Sequence, residues 1–145
     1  MKRTYPERPI AAVGAIIFDE GRVLLVRRKV DPYMGRWSIP GGAIELGERA
    51  RDAIVREVRE ECGVEVEPLH VVDVYDNIVE DEGGLRYHYT VIDFLARHLS
   101  GRPKPGSDVE KARWVPLSEL DRYEMTPLAR MAISRALATR RDDAG

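Results

Sequence analysis

The chain has a single cysteine, Cys62, so it can form no internal disulfide and no multi-cysteine zinc site. Cys62 closes a helical stretch, where it reads as a small packing residue. No run approaches the ~18 consecutive apolar residues of a membrane span. The opening Met-Lys-Arg-Thr-Tyr-Pro is not followed by a signal-like apolar segment, so the expected location is cytoplasmic, with no membrane partner. Charge of one sign is also lacking. Against 25 Asp and Glu stand 23 Lys and Arg, a net charge of -2, which gives no global positive field to hold nucleic acid. The three histidines, His70, His88 and His98, are dispersed without metal-ligand spacing. There is no internal repeat, no low-complexity tract and no linker that would separate domains. What remains is 145 residues, 43% apolar, enough to bury a core as one domain spanning 1–145.

Met1 to Pro9 is polar with two prolines and reads as a flexible arm. Ile10 to Phe18 is apolar and branched, as in a buried strand. Asp19-Glu20-Gly21 is a turn, and Val23 to Arg28 returns as the second arm of a hairpin. A loop precedes a short strand over Trp37 to Pro40. After the long helix described next, Val64 to Val79 and Leu85 to Arg97 form a second hairpin around an acidic turn, with Pro68 expected to bulge the first strand. Leu99 to Asp108 is a loop, Ala112 to Val115 a short strand, and Ser118-Glu119-Leu120 a turn. Thr126-Pro127 starts a helix, Thr as cap and Pro at the first position. It is expected to reach about Thr139 with Leu128, Met131, Ala132 and Leu137 on its apolar side, leaving Arg140 to Gly145 frayed. Strands with one helix between two groups of them predict an α/β sandwich with a mixed sheet.

The informative stretch is Gly41 to Val64. Arg49 to Cys62 contains no Pro or Gly, and Gly63 stands where a left-handed residue stops a helix. Ala50, Ala53, Ile54 and Val58 recur at helical spacing. Arg49, Asp52, Arg56 and Arg59 fall on the opposite, solvated face. Glu57 and Glu61, four residues apart, fall inside the apolar stripe, and Glu60 at its border. An unpaired buried carboxylate costs several kcal/mol, so a positive group must meet this face. Solvated glutamates in pairs such as Arg56 with Glu60 are the plain alternative. A hard divalent cation with oxygen ligands fits better, next to glycines that let a phosphoryl group approach the backbone.

Gly42, five residues, Glu48, seven residues, then Arg56-Glu57-Val58-Arg59-Glu60-Glu61-Cys62-Gly63-Val64 resembles the Nudix box, G-x5-E-x7-R-E-U-x-E-E-x-G-U with U aliphatic. Every fixed position is filled. The resemblance implies an α-β-α sandwich with the box helix on a mixed sheet. It also implies hydrolysis of a nucleoside diphosphate linked to a group X, with Mg²⁺ or Mn²⁺. Carried over by position, Glu57, Glu60 and Glu61 are metal ligands and catalytic, with the Gly41 carbonyl as a further ligand. Arg56 would hold Glu48 or a ligand glutamate in place. The general base is a box glutamate or an acid on a later loop. That loop offers Asp108 and Glu110, with Glu110 preferred; the acidic turn Glu80-Asp81-Glu82 is another source.

Phosphate contacts are sought among Arg27, Arg28 and Arg36, and base stacking among Trp37, Tyr33, Tyr87 and Tyr89. Arg27 and Arg28 face opposite ways on a strand, so one of them at most reaches the substrate. The chain resembles Nudix enzymes labelled ADP-ribose pyrophosphatases, so ADP-ribose leads as substrate. The Pro that marks ADP-ribose specialists about fifteen residues past the box is missing, since Ile78-Val79-Glu80 stands there. A broad nucleoside di- or triphosphate pyrophosphohydrolase, including oxidised nucleotides, is the runner-up, and a non-catalytic nucleotide sensor the third reading. Many family members are homodimers, and Ile10 to Phe18 could serve an interface as well as a core.

Overall fold

The structure, a computed structural model, describes residues 2–144, with side chains to residue 139. The elements follow in order: β1 (Ile10–Asp19), β2 (Arg22–Arg28), β3 (Trp37–Ser38), β4 (Gly41–Ala43), α1 (Ala50–Cys62), β5 (Glu65–Asp81), β6 (Gly84–Ser100), β7 (Val109–Pro116), a 3₁₀ turn (Leu117–Arg122) and α2 (Pro127–Ala144). The two hairpins and both helices stand where the sequence predicts them. The short β4 strand was not foreseen, because its Gly-Gly reads as a turn.

β1 is the axis of the sheet. It runs parallel to β6 from Ile10 opposite Tyr89 to Phe18 opposite Arg97. Its other edge is shared: the N-terminal half pairs antiparallel with β4, and the tip pairs with β2. β2 carries β3 on one side and β7 on the other, and β5 closes the far edge against β6. Pro68 does interrupt the β5–β6 register, since a residue without an N–H cannot continue the ladder.

Strand alternation divides the apolar residues between two layers. Val13, Ala15 and Ile17 of β1 and Leu24 and Val26 of β2 face α1, where Ala53, Ile54, Val58 and Cys62 are fully enclosed. Ile16, Val23 and Leu25 face α2, against Ala129, Ala132, Ile133 and Ala136. A sheet covered by a helix on each side is the α-β-α sandwich. Since β1 contributes to both cores, its apolar run is an interior strand and offers no apolar face to a second subunit. On α2 the buried stripe is Ala129, Ala132, Ile133 and Ala136; of the expected set Ala132 is buried and Leu137 packs against this cluster, while Met131 is exposed. The helix also continues past Thr139 to Ala144; Gly145, expected to fray, lies outside the described residues.

The arm is tied down. Tyr5 N–H donates to the Arg86 carbonyl at 2.8 Å and its hydroxyl to Asp81 at 2.6 Å, at the tip of the β5–β6 hairpin.

α1 has no side-chain N-cap but a fully built C-terminus. Gly63 adopts φ 70° and donates to the Arg59 carbonyl. The loop after β6 folds back over the same end: Lys104, Gly106 and Ser107 N–H donate to the carbonyls of Cys62, Glu61 and Glu60 at 2.9, 2.9 and 3.2 Å. These are the carbonyls a helix leaves without intrahelical partners. Gly106 is required there, because a Cβ would stand 1.8 Å from the Glu60 oxygen. By clamping the end of α1, the loop delivers the next residue, Asp108, to the neighbourhood of Glu61.

Candidate active site

Of the two acids that the helical spacing sets on the apolar side, Glu61 is buried and Glu57 is withdrawn from solvent in large part. Glu61 is 7% exposed and accepts the Gly41 N–H at 2.8 Å. Among the described residues it has no cationic partner in ion-pair contact. Burial pushes its pKa up to about 8; the Gly41 N–H opposes this, while Glu57 and Asp108 add to it. The Glu57 side chain is 13% exposed, and burial raises its pKa too, against the pull of Arg56. Glu60 is more exposed, as expected of a border position.

Arg56 does not stand free on the solvated face. Its guanidinium forks onto Glu48 at 2.8 and 2.9 Å, meets Glu57 at 2.9 Å and Glu60 at 3.2 Å, and donates to the Ala43 carbonyl at 3.0 Å. Hydrogen bonding from Arg56, then from the Glu45 N–H, holds Glu48 down to about 2. Acids one, four and eight positions away, on and before one helix, are thereby locked to a single planar cation. The helical wheel misplaced this residue because a long side chain reaches around the helix to the glycine turn.

Both glycines of that turn have a steric reason. A Cβ on Gly42 would fall 2.4 to 2.6 Å from the Glu57 carboxyl, and one on Gly41 would fall 2.1 Å from the Val13 carbonyl of β1. The first lets the acid reach the turn, and the second lets β4 pair with β1.

The turn and Glu61 form one wall of a cleft of about 370 Å³. Arg28, Asp108 and Tyr33 join them, and alternate residues of β6, namely Tyr87, Tyr89, Val91 and Asp93, line another wall. Of the candidate substrate residues, Tyr87 lines the cleft, stacked on Tyr89 with ring centroids 6.3 Å apart. Arg27, Arg36, Trp37 and Glu110 are not brought to it. Arg27 and Glu110 form an ion pair with each other at 2.9 Å, and Arg27 also donates to the Gly35 carbonyl. Trp37 is packed in the α2 layer, edge-on to Tyr123 and under the Arg113 guanidinium. The adjacent Arg28 lines the cleft instead, since neighbouring positions of a strand face opposite ways.

Asp93, with no exposed surface at all, is the residue that the sequence reading missed. β6 is covered on both faces here, so an acid breaks no alternation. Its one trace in the sequence was Gly14, a glycine inside a strand, which marks a close approach. A Cβ on Gly14 would lie 2.3 Å from an Asp93 carboxyl oxygen.

Carboxylates and a backbone carbonyl are the donors that hard divalent cations take. Glu61, buried without an ion-pair partner, and Glu57, which shares its one cation Arg56 with Glu48 and Glu60, fit such an ion. Among the described residues no three acids, histidines or cysteines converge closely enough to hold a metal as they stand. Arg56 occupies the space between Glu57 and Glu60, so side-chain rotation would accompany loading.

The model of the NUDIX domain matches residues 8–136. The chain belongs to the NUDIX family. An ADP-ribose pyrophosphatase of Methanocaldococcus jannaschii is 34% identical over 112 residues, covering 77% of this chain and 64% of that protein. A putative 8-oxo-dGTP diphosphatase of Mycobacterium tuberculosis is 35% identical over 123 residues, covering 83% of this chain and 82% of that one. A MutT NUDIX hydrolase crystal structure from Burkholderia pseudomallei superposes with a TM-score of 0.78 at 31% identity, over 89% of this chain and 98% of its own. The NUDIX chain thus spans about two thirds of the archaeal relative. No described helix is long and apolar enough to cross a membrane.

Proposed function

We propose that this NUDIX protein is a divalent-metal-dependent pyrophosphohydrolase that cleaves the diphosphate of a nucleoside diphosphate linked to a second group. ADP-ribose, giving AMP and ribose 5-phosphate, is the leading substrate. The observation that carries the reading is the pair Glu57 and Glu61 beside the Gly41–Gly42 turn, Glu61 buried without an ion-pair partner and Glu57 sharing a single Arg56 with Glu48 and Glu60. Glu57, Glu60, Glu61 and the Gly41 carbonyl would hold Mg²⁺, or Mn²⁺ in its place. When bound, the cation neutralises phosphate charge and acidifies water.

The chain's own groups account for the rest. Arg56 fixes the ligand glutamates through its four acidic and carbonyl contacts. Arg28, whose Nε is spent on the Pro32 carbonyl at 2.6 Å, turns the remainder of its guanidinium to the cleft, where it suits phosphate oxygens. Asp108 is the loop acid presented there, so it takes the role first sought at Glu110: accepting the proton of the water that adds to phosphorus as the anhydride P–O bond breaks. Tyr87 and Tyr89 give a flat wall for a base or sugar.

A second reading, a pyrophosphohydrolase of nucleoside di- or triphosphates including oxidised ones, is favoured by the name of the mycobacterial relative. A panel of ADP-ribose, nucleotide sugars, NADH, dinucleoside polyphosphates, and ordinary and oxidised nucleoside triphosphates tests both. Each is assayed with Mg²⁺ and with Mn²⁺ and ranked by kcat/KM. Metal-dependent release of AMP from ADP-ribose at the highest kcat/KM is the expected result. No turnover of any diphosphate with either metal would reject the enzyme reading.

A further inference from the structure

Asp93 is the one buried acid of the cleft that the proposed chemistry does not use. Both of its carboxyl oxygens are enclosed, and neither has a hydrogen-bond partner. Its surroundings explain why. Directly across on β5 stands Asp73, which is itself taken by Arg135 of α2. Tyr75, also on β5, lies nearby without donating to it. Thr126, which caps α2, and Leu128 and Ala129 of that helix line this cleft too, and the Thr126 hydroxyl accepts the Ala129 N–H without donating to Asp93. Burial, then Asp73, pushes the Asp93 carboxyl up to about 7. The fold nonetheless makes room for it: Gly14 is bare where any side chain would strike Asp93. A buried acid with no partner is costly, and a satisfied or apolar residue would serve the core better.

The position relates it to the substrate. Gly14 is in register with Asp93 on one side and with Gly41 on the other. Asp93 and the glycine turn therefore lie on one rung of the sheet, roughly 10 Å apart at their Cα atoms, two strand spacings. Tyr87, Tyr89 and Val91, on the same face of β6, lead along the cleft to Asp93. A group attached by a few bonds to a diphosphate held at the turn reaches that far.

We infer that Asp93 is a specificity-determining residue: its carboxyl, enclosed at the wall of the unliganded cleft, opens toward the substrate and its two oxygens accept a pair of adjacent donor hydrogens from it. The inference rests on the pyrophosphohydrolase reading for the location of the diphosphate. Two parts of a nucleotide carry such a pair, the vicinal hydroxyls of a ribose and the ring N–H with exocyclic amine of a guanine-type base. An adenine edge, one donor beside one acceptor, does not match an ionised carboxylate.

The test compares wild type with Asp93→Asn and Asp93→Ala on matched substrates. GTP against ITP removes the base amine; ADP-ribose against its 2-deoxyribose analogue removes one terminal hydroxyl. One of the two comparisons is expected to show at least a tenfold preference in wild type, mostly in KM, of the size lost with a charged hydrogen bond. Asp93→Asn is expected to reduce that preference to about twofold or less while kcat on the poorer substrate is kept and the melting temperature does not fall. Which comparison responds names the part that is read. Preferences unchanged in both variants would overturn the inference. So would an Asp93→Asn protein that is less stable and equally impaired on every substrate, which is what a purely structural acid gives. If wild type hydrolyses nothing, the enzyme reading fails separately. Calorimetric binding of GDP against IDP, and of ADP-ribose against its deoxy analogue, then decides on Asp93 by the same loss of preference.

Discussion

The cleft holds a buried acid at each end. Glu61, at the glycine turn, has one backbone donor, a neighbouring acid in Glu57, and Arg56 and Arg28 within electrostatic reach of the pair. Asp93, at the inner end, has an acid opposite and no donor. Both carboxyls are raised by burial, yet the two ends differ in what would relieve them. Several acids together with few cations ask for a metal ion. A single unpartnered acid at the wall of the cleft asks for a hydrogen-bonding edge of a small molecule. The chemistry is therefore expected at one end and the selection of substrate at the other.

The strongest way to break this division is Glu61→Gln. Turnover is expected to fall by about 10³-fold, the scale of losing a group at the reacting centre. The melting temperature of the metal-free protein should hold or rise, because the cost of burying an ionisable carboxyl is removed while the amide can still accept the Gly41 N–H. Near-normal turnover with saturating Mg²⁺ would move the chemistry away from this end.

Next in size is Arg56→Lys. A lysine cannot fork onto Glu48 while also reaching Glu57, Glu60 and the Ala43 carbonyl. A loss of about 10- to 100-fold in metal affinity or activity is expected, measured by Mg²⁺-dependence of the rate. An unchanged Mg²⁺ requirement would show that Arg56 does not organise the ligands.

The loop acids separate more gently. Asp108→Asn is expected to lower kcat by about tenfold or more, toward the lower part of the range for a proton acceptor. Glu110→Gln should stay within about threefold, since it only frees an ion pair whose partners are both partly exposed. The reverse order would restore the expectation that Glu110 is the base.

The smallest effect is on stability with pH, and it compares the two ends directly. An acid whose folded pKa lies above its unfolded one holds its proton longer in the folded state. Between those values the folded state binds more protons, so stability falls as pH rises. For Asp93 the window runs from about 3.8 to about 7, and for Glu61 from about 4.5 to about 8. Metal-free protein in chelator is expected to lose stability to urea from pH 5 to 8. Asp93→Asn should remove the part that ends near pH 7, and added Mg²⁺ the part that ends near pH 8. A flat profile in wild type would contradict both burials.

The two ends were not equally legible. Glu57 and Glu61 betrayed themselves because a helix has a solvated face, so a charged residue at an apolar position is an anomaly of period. Asp93 produced none, because β6 is enclosed on both sides and its neighbours Ile92 and Phe94 read like any interior strand. Arg27 and Glu110 drew attention by their distance along the chain from the box and from Trp114. Strand alternation made it clear that Arg27 and Arg28 could not both reach the cleft, but which of the two did so, and the pairing of Arg27 with Glu110 across β2 and β7, depended on how the strands pack.

Residue order alone settled the extent of α1, the start of α2, the two hairpins and the acids beside the glycine turn, since each follows from periodicity or backbone freedom within a short window. Tertiary structure decided which neighbours meet across the sheet: the parallel seating of β6 on β1, the folding of residues 104–107 over the end of α1, and hence the arrival of Asp108 and Asp93 at one cleft. Those contacts join positions tens of residues apart, and their energy comes from surfaces that exist only once the sheet has closed.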